Sequence, residues 1–351
     1  MRFRRRTMMT AALAGTAMLA VTACGAAGSP ASSTAGGSSS AGKAVLVLYN
    51  AQHENLMTAV TDAFTAATGI KVEMRNGDDS ELSNQIVQEG SASPADVFVT
   101  ENSPGMTLLD TKGLFTGLDA ATRAQTPAQY SATNGKWVGF AARSTVLPYN
   151  TGKLTAGQVP GSVMDLAKPA WKDRFGISPS GADFQAIVSA VVQLKGEDAA
   201  AAWLAGLKAN AKIYQGNSTV MKAVNSGEIE TGIIYHYYWY EDQAEGGANS
   251  DHVKLKFLGQ QDPGAFVSVS GAGVLASSKH PREAQQFVAF LTSAAGQQAI
   301  VGSSTMEYAI ASGVAANKVL TPLSELDPPI VDPTALNGPR VVALMQQAGL
   351  L

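Results

Sequence analysis

The feature that most constrains the fold is an alternation of short apolar segments and amphipathic segments. Residues 44–50 (AVLVLYN) form an apolar run that is typical of a buried parallel strand. A segment with apolar residues four apart follows, and Gly69 is expected to end it as a helix. Two more strands are predicted at 70–75 (IKVEMR) and 94–102 (PADVFVTEN), with a helix between them. This order predicts a parallel α/β sheet, in which ligands bind beyond the carboxyl ends of the strands.

A second series of strands and helices follows an extended segment at 137–150 (WVGFAARSTVLPYN). Its loops ISPSG, QGNS and YHYY come after predicted strands and lead into predicted helices, whose first amide groups suit an anion. A second long extended segment precedes one predicted amphipathic helix at 281–301. Two α/β lobes joined by two extended crossings, with a ligand cleft between them, are the plan of a hinged solute-binding protein.

The predicted lobes are each assembled from two parts of the chain. Lobe 1 is expected to contain 44–145 and about 267–318, and lobe 2 to contain 146–266 and about 319–351.

The N-terminus has the pattern of an export signal. Residues 1–23 join a basic start, MRFRRR, to an apolar run that is shorter than the roughly 20 residues of a membrane span. The string LAVTAC resembles a lipobox, which predicts lipidation of Cys24, the single cysteine of the chain. A plain secretory signal with an incidental cysteine is the alternative. Residues 24–43 are nearly all Gly, Ser and Ala, which is typical of a flexible tether.

Composition excludes several classes of function. Removing the four arginines before Cys24 from the 25 basic residues leaves 21 against 28 acidic ones, a net charge of −7. An acidic body argues against nucleic acid or an anionic membrane surface as the partner. With its one cysteine assigned to lipidation, the chain has no disulfide, no CxxC zinc site and no thiol nucleophile.

Three motif matches fail on inspection. HENLM has Met57 where a zinc-protease HExxH needs its second histidine. GAGVLA matches a dinucleotide-binding pattern but ends an extended segment instead of opening a βαβ unit. GISPSG has Ser180 where a nucleophile elbow needs its last glycine. No enzyme constellation remains.

The most unusual local sequence is IIYHYYWYE at 233–241, in a chain with only 7% aromatic residues. On a strand, the adjacent Tyr237 and Tyr238 would point to opposite faces. At a strand-to-helix turn, both side chains are able to reach one cleft. His53 and Glu101 also fall just past the ends of predicted strands, which makes these four residues candidates for one site.

The chain resembles the ferric-ion-binding proteins, the bacterial solute-binding subunits that pass Fe³⁺ to an ABC permease. The resemblance runs from about Val45 to Leu351 through ordered blocks. These blocks are YNAQHE, FTAATGIKVEMRNG, PADVFVTEN, RSTVLPYN, SGADFQAIV, LKANAKIYQGNS, YYWY, QDPGAFVSVSGAGVL and QQAGLL. The resemblance implies the two-lobed periplasmic binding protein fold of type II. It also implies an ABC permease and its ATPase as partners, and a monomer anchored to the outer face of the cytoplasmic membrane.

The resemblance also implies the residues of the site. The family's iron ligands correspond to His53, Glu101, Tyr237 and Tyr238. The family's pocket for a synergistic anion, phosphate or carbonate, corresponds to Asn102, Ser180, Gly181, Ala182 and Asn217. Tyr235 stands where the family has a further asparagine, which puts binding of the ordinary anion in question.

The chemistry of these residue types agrees with iron. Fe³⁺ is a small, hard cation, so oxygen anions suit it better than thiolates. A phenol has a pKa near 10 and binds as phenolate only where a metal drives off its proton. Two phenolates and one carboxylate carry three negative charges against three positive ones, and His53 adds a neutral nitrogen.

Other interpretations remain open at this stage. Alone, His53 is more typical of a cap or surface residue, Glu101 of an exposed turn, and the tyrosine pair of packing. The fold also carries organic cations or oxyanions, such as polyamines or thiamine, and an aromatic cluster is able to cage a cation. A secreted enzyme is the third alternative. For Tyr235 the choices are a core side chain, a hydrogen bond to a small anion, or a third phenolate, and His236 is a further potential donor.

Overall fold

The computed structural model describes residues 44–351, so the predicted signal, Cys24 and the tether lie outside the described residues. In this range eleven strands form one mixed sheet. The strands are β1 (Val45–Ala51), β2 (Lys71–Asn76), β3 (Val97–Thr100), β4 (Val138–Asn150), β5 (Phe175–Ile177), β6 (Lys212–Ile213), β7 (Thr231–Gly232), β8 (Ile234–Tyr235), β9 (Val253–Lys256), β10 (Val267–Val274) and β11 (Tyr308–Ala309).

Helices cover the sheet on both faces. They are α1 (Glu54–Thr68), α2 (Asp79–Glu89), α3 (Pro104–Thr111), α4 (Ala120–Arg123), α5 (Ala182–Lys195), α6 (Glu197–Asn210), α7 (Asn217–Asn225), α8 (Tyr237–Ala244), α9 (Pro281–Leu291), α10 (Ala294–Gly302) and α11 (Gly338–Gln347). None of these described helices is both long and apolar enough to cross a bilayer.

The first predicted series is confirmed. β1 lies between β2 and β3 and pairs with both in parallel. Gly69 ends α1 with a φ of 70°, the left-handed conformation that glycine adopts without a steric penalty. The Asp78 side chain accepts a hydrogen bond from the Glu81 amide and caps α2. The carboxyl ends of β1 and β3 therefore lie side by side.

Strand β4 is shared by the two parts of the sheet. Its first residues pair with β10 and β11, and β10 also pairs with β3. Its last residues pair with β7, β8 and β9, and β7 continues through β5 to β6. The two sheet parts follow the orders β2-β1-β3-β10-β4 and β4-β7-β5-β6. One fully buried 13-residue strand thus runs from one part to the other.

Separate hydrophobic clusters lie beneath the two parts. Leu48, Phe64 and Phe287 belong to a cluster on the first part. Phe184 and Trp203 belong to a cluster on the second part, and α11 packs against the same cluster. The predicted lobe boundaries stay a prediction.

One predicted helix is wrong. The single helix expected over 281–301 is divided into α9 and α10. Ser293 accepts a hydrogen bond from the Gly296 amide and so caps a new helix. At Gly296 an added Cβ would lie 2.2 Å from the Phe290 carbonyl oxygen, so the two helices meet at a contact that only glycine permits.

Candidate functional site

The first side of the site consists of loops that follow β1 and β3. His53 is the N-cap residue of α1, and Glu101 comes directly after β3. Since β1 and β3 are neighbouring parallel strands, their ends bring the two side chains together. His53 Nε2 lies 3.7 Å from Glu101 Oε1.

The second side of the site is the start of α8. Strand β8 ends at Tyr235, and His236, with helical φ and ψ angles of −59° and −37°, leads directly into α8. The Tyr237 and Tyr238 rings lie with their centroids 4.2 Å apart on the first turn. The break from strand to helix therefore turns both phenols toward the same cleft, as the sequence predicted.

Tyr237 also connects the two sides. Its hydroxyl donates to Glu101 Oε1 at 3.0 Å. The His53 ring meets the Tyr237 ring edge-on, with centroids 5.0 Å apart. The structure therefore brings together all four residues that the resemblance implied as ligands.

A fifth residue, the acidic Asp183, lies among them. Asp183 is in the first turn of α5 and is 6% exposed. Its Oδ2 accepts a hydrogen bond from the Tyr238 hydroxyl at 3.1 Å and lies 3.4 Å from the Tyr237 hydroxyl oxygen. The sequence reasoning missed this residue, although it directly follows the Ser-Gly-Ala turn. The sequence did contain a signal: Asp183 falls in the first turn of a helix whose amides were expected to hold an anion, so its own carboxylate is able to take that place.

The predicted anion-binding residues surround that carboxylate. Asn217 Nδ2 donates to Asp183 Oδ2 at 2.8 Å, and Asn102 Nδ2 donates to Asp183 Oδ1 at 3.2 Å. Gly181 is the N-cap residue of α5 and Ala182 its first residue. Ser180 is exposed, and its hydroxyl donates to Gln215 Oε1 instead of reaching the cluster. The pocket expected to hold an external anion thus contains a side-chain carboxylate.

Tyr235 is fully buried behind the site. Its hydroxyl lies 3.2 Å from Asn102 Oδ1 and 3.3 Å from the Asp183 carbonyl oxygen. Its neighbour His236 accepts a hydrogen bond at Nδ1 from the Ser144 amide and stacks on Tyr308. Burial lowers the pKa of His236 to about 3. The neutral His236 ring therefore packs between β4 and β11 and has a structural role.

Two buried charged residues support the first side. The side chains of Arg143 and Glu307 are completely buried, and Arg143 Nη2 lies 2.6 Å from Glu307 Oε2. Arg143 Nη1 donates to the Glu101 carbonyl oxygen. Glu307 Oε1 lies 3.0 Å from His53 Nδ1. Arg143 opens the block RSTVLPYN, but the sequence assigned no role to it or to Glu307, and only the tertiary structure brings them to the site.

The burial of the site changes its protonation. Burial alone would lower the pKa of His53, but Glu307 and Glu101 raise it to about 9. Burial raises the pKa of Glu101 to about 8, with the Asp183 charge adding to the shift. Burial also raises the pKa values of Tyr237 and Tyr238 well above that of a free phenol. Without a bound cation, the site therefore holds protons that a cation has to displace.

The spacing of the donor atoms suits a small cation. An octahedral ion with bonds of about 2 Å places adjacent donor atoms about 2.8 Å apart. Across the cluster, Tyr237 and Glu101 oxygens are separated by 3.0 Å, and Tyr238 and Asp183 oxygens by 3.1 Å. Among residues 44–351, no group of three or more His, Cys, Asp or Glu residues is placed to hold a metal. Any metal site here therefore requires the phenols, which favours a hard cation over zinc.

Comparison with known proteins gives a consistent assignment. Residues 92–329 match the family described as bacterial extracellular solute-binding protein. The chain is 58% identical over 306 residues to an Fe(3+)-binding periplasmic protein of Serratia marcescens, which covers 87% of this chain and 90% of that relative. It is 40% identical to the major ferric iron-binding protein of Neisseria meningitidis serogroup B, over 87% of this chain and 93% of that one.

A solved structure agrees with these relatives. The crystal structure of iron-bound HitA from Pseudomonas aeruginosa matches with a TM-score of 0.83 and 45% sequence identity, over 87% of this chain and 99% of HitA. The predicted type II periplasmic binding protein fold is thereby confirmed. The chain belongs to the bacterial extracellular solute-binding proteins, within the group that includes the ferric-ion-binding proteins.

Proposed function

We propose that this protein captures ferric ion in the cleft and delivers it to the membrane permease of an ABC importer. The observation that carries the proposal is the convergence of two phenol hydroxyls, two carboxylates and one imidazole on one cleft, with donors from both sides. The donors are His53, Glu101, Asp183, Tyr237 and Tyr238. The similarity to relatives named as ferric-iron-binding proteins supports the same cargo.

The orientation of the tyrosines favours a metal over an organic cation. A cage for a quaternary ammonium or a polyamine presents ring faces to the ligand. Here the hydroxyl groups of Tyr237 and Tyr238 converge on carboxylate oxygens instead. Oxygen atoms that are hydrogen-bonded to carboxylates become anionic ligands when a trivalent cation displaces their protons.

Asp183 is proposed to take the place of the external anion. It accepts hydrogen bonds from Asn102 and Asn217, two residues that were expected to hold phosphate or carbonate. Its position in the first turn of α5 also stabilises a negative charge there through the helix dipole. The protein would then bind Fe³⁺ without phosphate or carbonate.

Export and membrane attachment complete the proposal. Residues 1–23 would be removed as a signal, and Cys24 would carry the lipid that anchors the protein to the outer face of the cytoplasmic membrane. The tether would let a monomer present iron to a permease that is driven by an ATPase. The relatives named for iron binding and iron uptake support a transport role and not catalysis.

Visible spectroscopy tests the proposal. Phenolate bound to Fe³⁺ absorbs visible light, so protein loaded with ferric citrate and then freed of excess citrate should be orange to purple. Tyr238→Phe should shift or bleach this band. Tyr240→Phe is the matched control, because Tyr240 is on the same helix but its hydroxyl lies against Thr321. Colourless wild-type protein with no bound iron by metal analysis would refute the assignment.

A further inference from the structure

Glu307 lies immediately before β11 and is buried against the ligand loop of His53. Its Oε1 is 3.0 Å from His53 Nδ1. Both atoms are buried, and among the described residues neither has a hydrogen-bond partner of good geometry, so each faces the other across this 3.0 Å contact. The other oxygen, Oε2, accepts from Arg143 Nη2 at 2.6 Å and from Gln52 Nε2 at 3.3 Å. Both carboxylate oxygens are therefore directed at protein groups, so Glu307 is not itself a ligand.

We propose that Glu307 is a positioning residue, which holds the His53 ring so that Nε2 is the nitrogen presented to the cargo. This inference rests on the proposed function. With Nδ1 facing Glu307, the opposite nitrogen, Nε2, is directed toward the cleft and lies 3.7 Å from Glu101 Oε1. A carboxylate that accepts from the second nitrogen of a metal-binding histidine fixes the ring orientation and makes the first nitrogen a better ligand.

Arg143 extends the arrangement to the second ligand of the same side. The guanidinium bonds to Glu307 and to the Ser270 hydroxyl, and its Nη1 donates to the Glu101 carbonyl oxygen. One buried cation thus joins the residue that orients His53 to the loop that carries Glu101. A buried carboxylate without such partners would be strongly destabilising, so Arg143 is what permits Glu307 to occupy this position.

An ordinary buried ion pair is the competing explanation, and a double-mutant cycle separates the two. Fe³⁺ affinity is measured by citrate competition for wild type, Glu307→Gln, His53→Ala and the double variant. Removing such a partner typically lowers metal affinity about 10- to 100-fold. We expect this loss in the presence of His53 and a change within about threefold in the His53→Ala background, since the effect passes through the ring. Equal losses in both backgrounds, or no loss in either, would overturn the proposal.

Two controls keep the result interpretable. Glu197→Gln removes a carboxylate paired with Arg340 on the surface and should leave affinity unchanged. The phenolate absorption band should persist in Glu307→Gln, because both tyrosines remain. If wild-type protein shows neither the absorption band nor bound iron, the proposed function fails. If wild-type protein binds iron but the effects of Glu307→Gln and His53→Ala are additive, only the role of Glu307 is refuted.

A measurement on the wild-type chain covers the case in which Glu307→Gln does not fold. Protein loaded with diamagnetic Ga³⁺ and labelled with ¹⁵N at histidine reports which ring nitrogen binds the metal. We expect the hydrogen on Nδ1 of His53 and the metal on Nε2. Metal on Nδ1, or a His53 ring that does not sense Ga³⁺ bound at the site, would contradict the proposal.

Discussion

The two sides of the cleft hold their donors in different ways. On the first side, His53 and Glu101 follow neighbouring strands and contact the buried pair Arg143 and Glu307. On the second side, Tyr237 and Tyr238 are on the first turn of α8 and contact carboxylates through neutral hydroxyls. The first side is fixed by buried charge and the second by hydrogen bonds that a metal has to replace.

This difference assigns separate tasks to the two sides. A donor backed by a buried ion pair keeps its orientation whether or not cargo is present, because moving it would leave charges without partners. A phenol with a raised pKa binds cargo only by losing its proton. We therefore expect the first side to set the geometry of the site, and the second side to set its selectivity for a highly charged cation and much of its dependence on pH.

The largest expected effect is the pH dependence of Fe³⁺ affinity. Since the pKa values of Tyr237 and Tyr238 are raised, both phenols are protonated near neutral pH and release two protons on binding. Affinity should therefore fall at least about 100-fold for each unit of decreasing pH. His53, whose pKa is raised to about 9, should steepen the fall below that pH instead of only below its ordinary value.

The same measurement distinguishes the two sides. In Tyr238→Phe one fewer proton is displaced on binding. The fall in Fe³⁺ affinity for each unit of decreasing pH should therefore be about tenfold smaller than in wild type. The affinity is measured between pH 5 and 7 against a chelator whose own protonation is corrected. A flat profile, or an unchanged slope in the variant, would contradict phenolate ligation.

A smaller effect is expected from Asp183→Asn. Loss of a charged partner for two phenols and two amides should weaken Fe³⁺ binding about 10- to 100-fold. Added phosphate should restore part of the affinity in the variant and have little effect on wild type, as measured by citrate competition in phosphate-free buffer. Asp165→Asn, which alters a partly exposed carboxylate beside Lys168, is the control. If wild-type protein requires phosphate or carbonate to bind Fe³⁺, the pocket holds an external anion and the proposed role of Asp183 is wrong.

The smallest effect is expected from Tyr235→Phe. This hydroxyl lies near Asn102 Oδ1 and the Asp183 carbonyl, behind the donor cluster, so its loss should cost about 1 kcal/mol in the free energy of unfolding. The visible absorption band of the iron-loaded variant should be retained. Added phosphate or carbonate should change this band in the variant but not in wild type. Tyr308→Phe, which removes another buried tyrosine hydroxyl, is the control for stability. A large shift of the band would instead identify Tyr235 as a third phenolate.

Much of the site follows from the sequence. Apolar alternation indicates where β1 and β3 end, and side chains beyond adjacent parallel strands lie at one edge of the sheet. This reasoning places His53 and Glu101 together. The adjacent tyrosines are consistent with one cleft only if the chain changes from strand to helix, and the start of α8 at Tyr237 meets that condition.

The tertiary structure alone decided what surrounds these donors. Asp183 occupies the pocket expected for an anion, and Glu307 lies 3.0 Å from His53 although it comes from a distant part of the chain. The division of 281–301 into two helices likewise depends on a cap and a close glycine contact. Local periodicity records which face of an element is buried, because burial of apolar side chains repeats with the backbone geometry. The pairing of buried charges depends instead on which loops the fold brings into contact. A charged side chain needs a partner only after the folded sheet has removed it from water, because an unpaired buried charge is strongly destabilising.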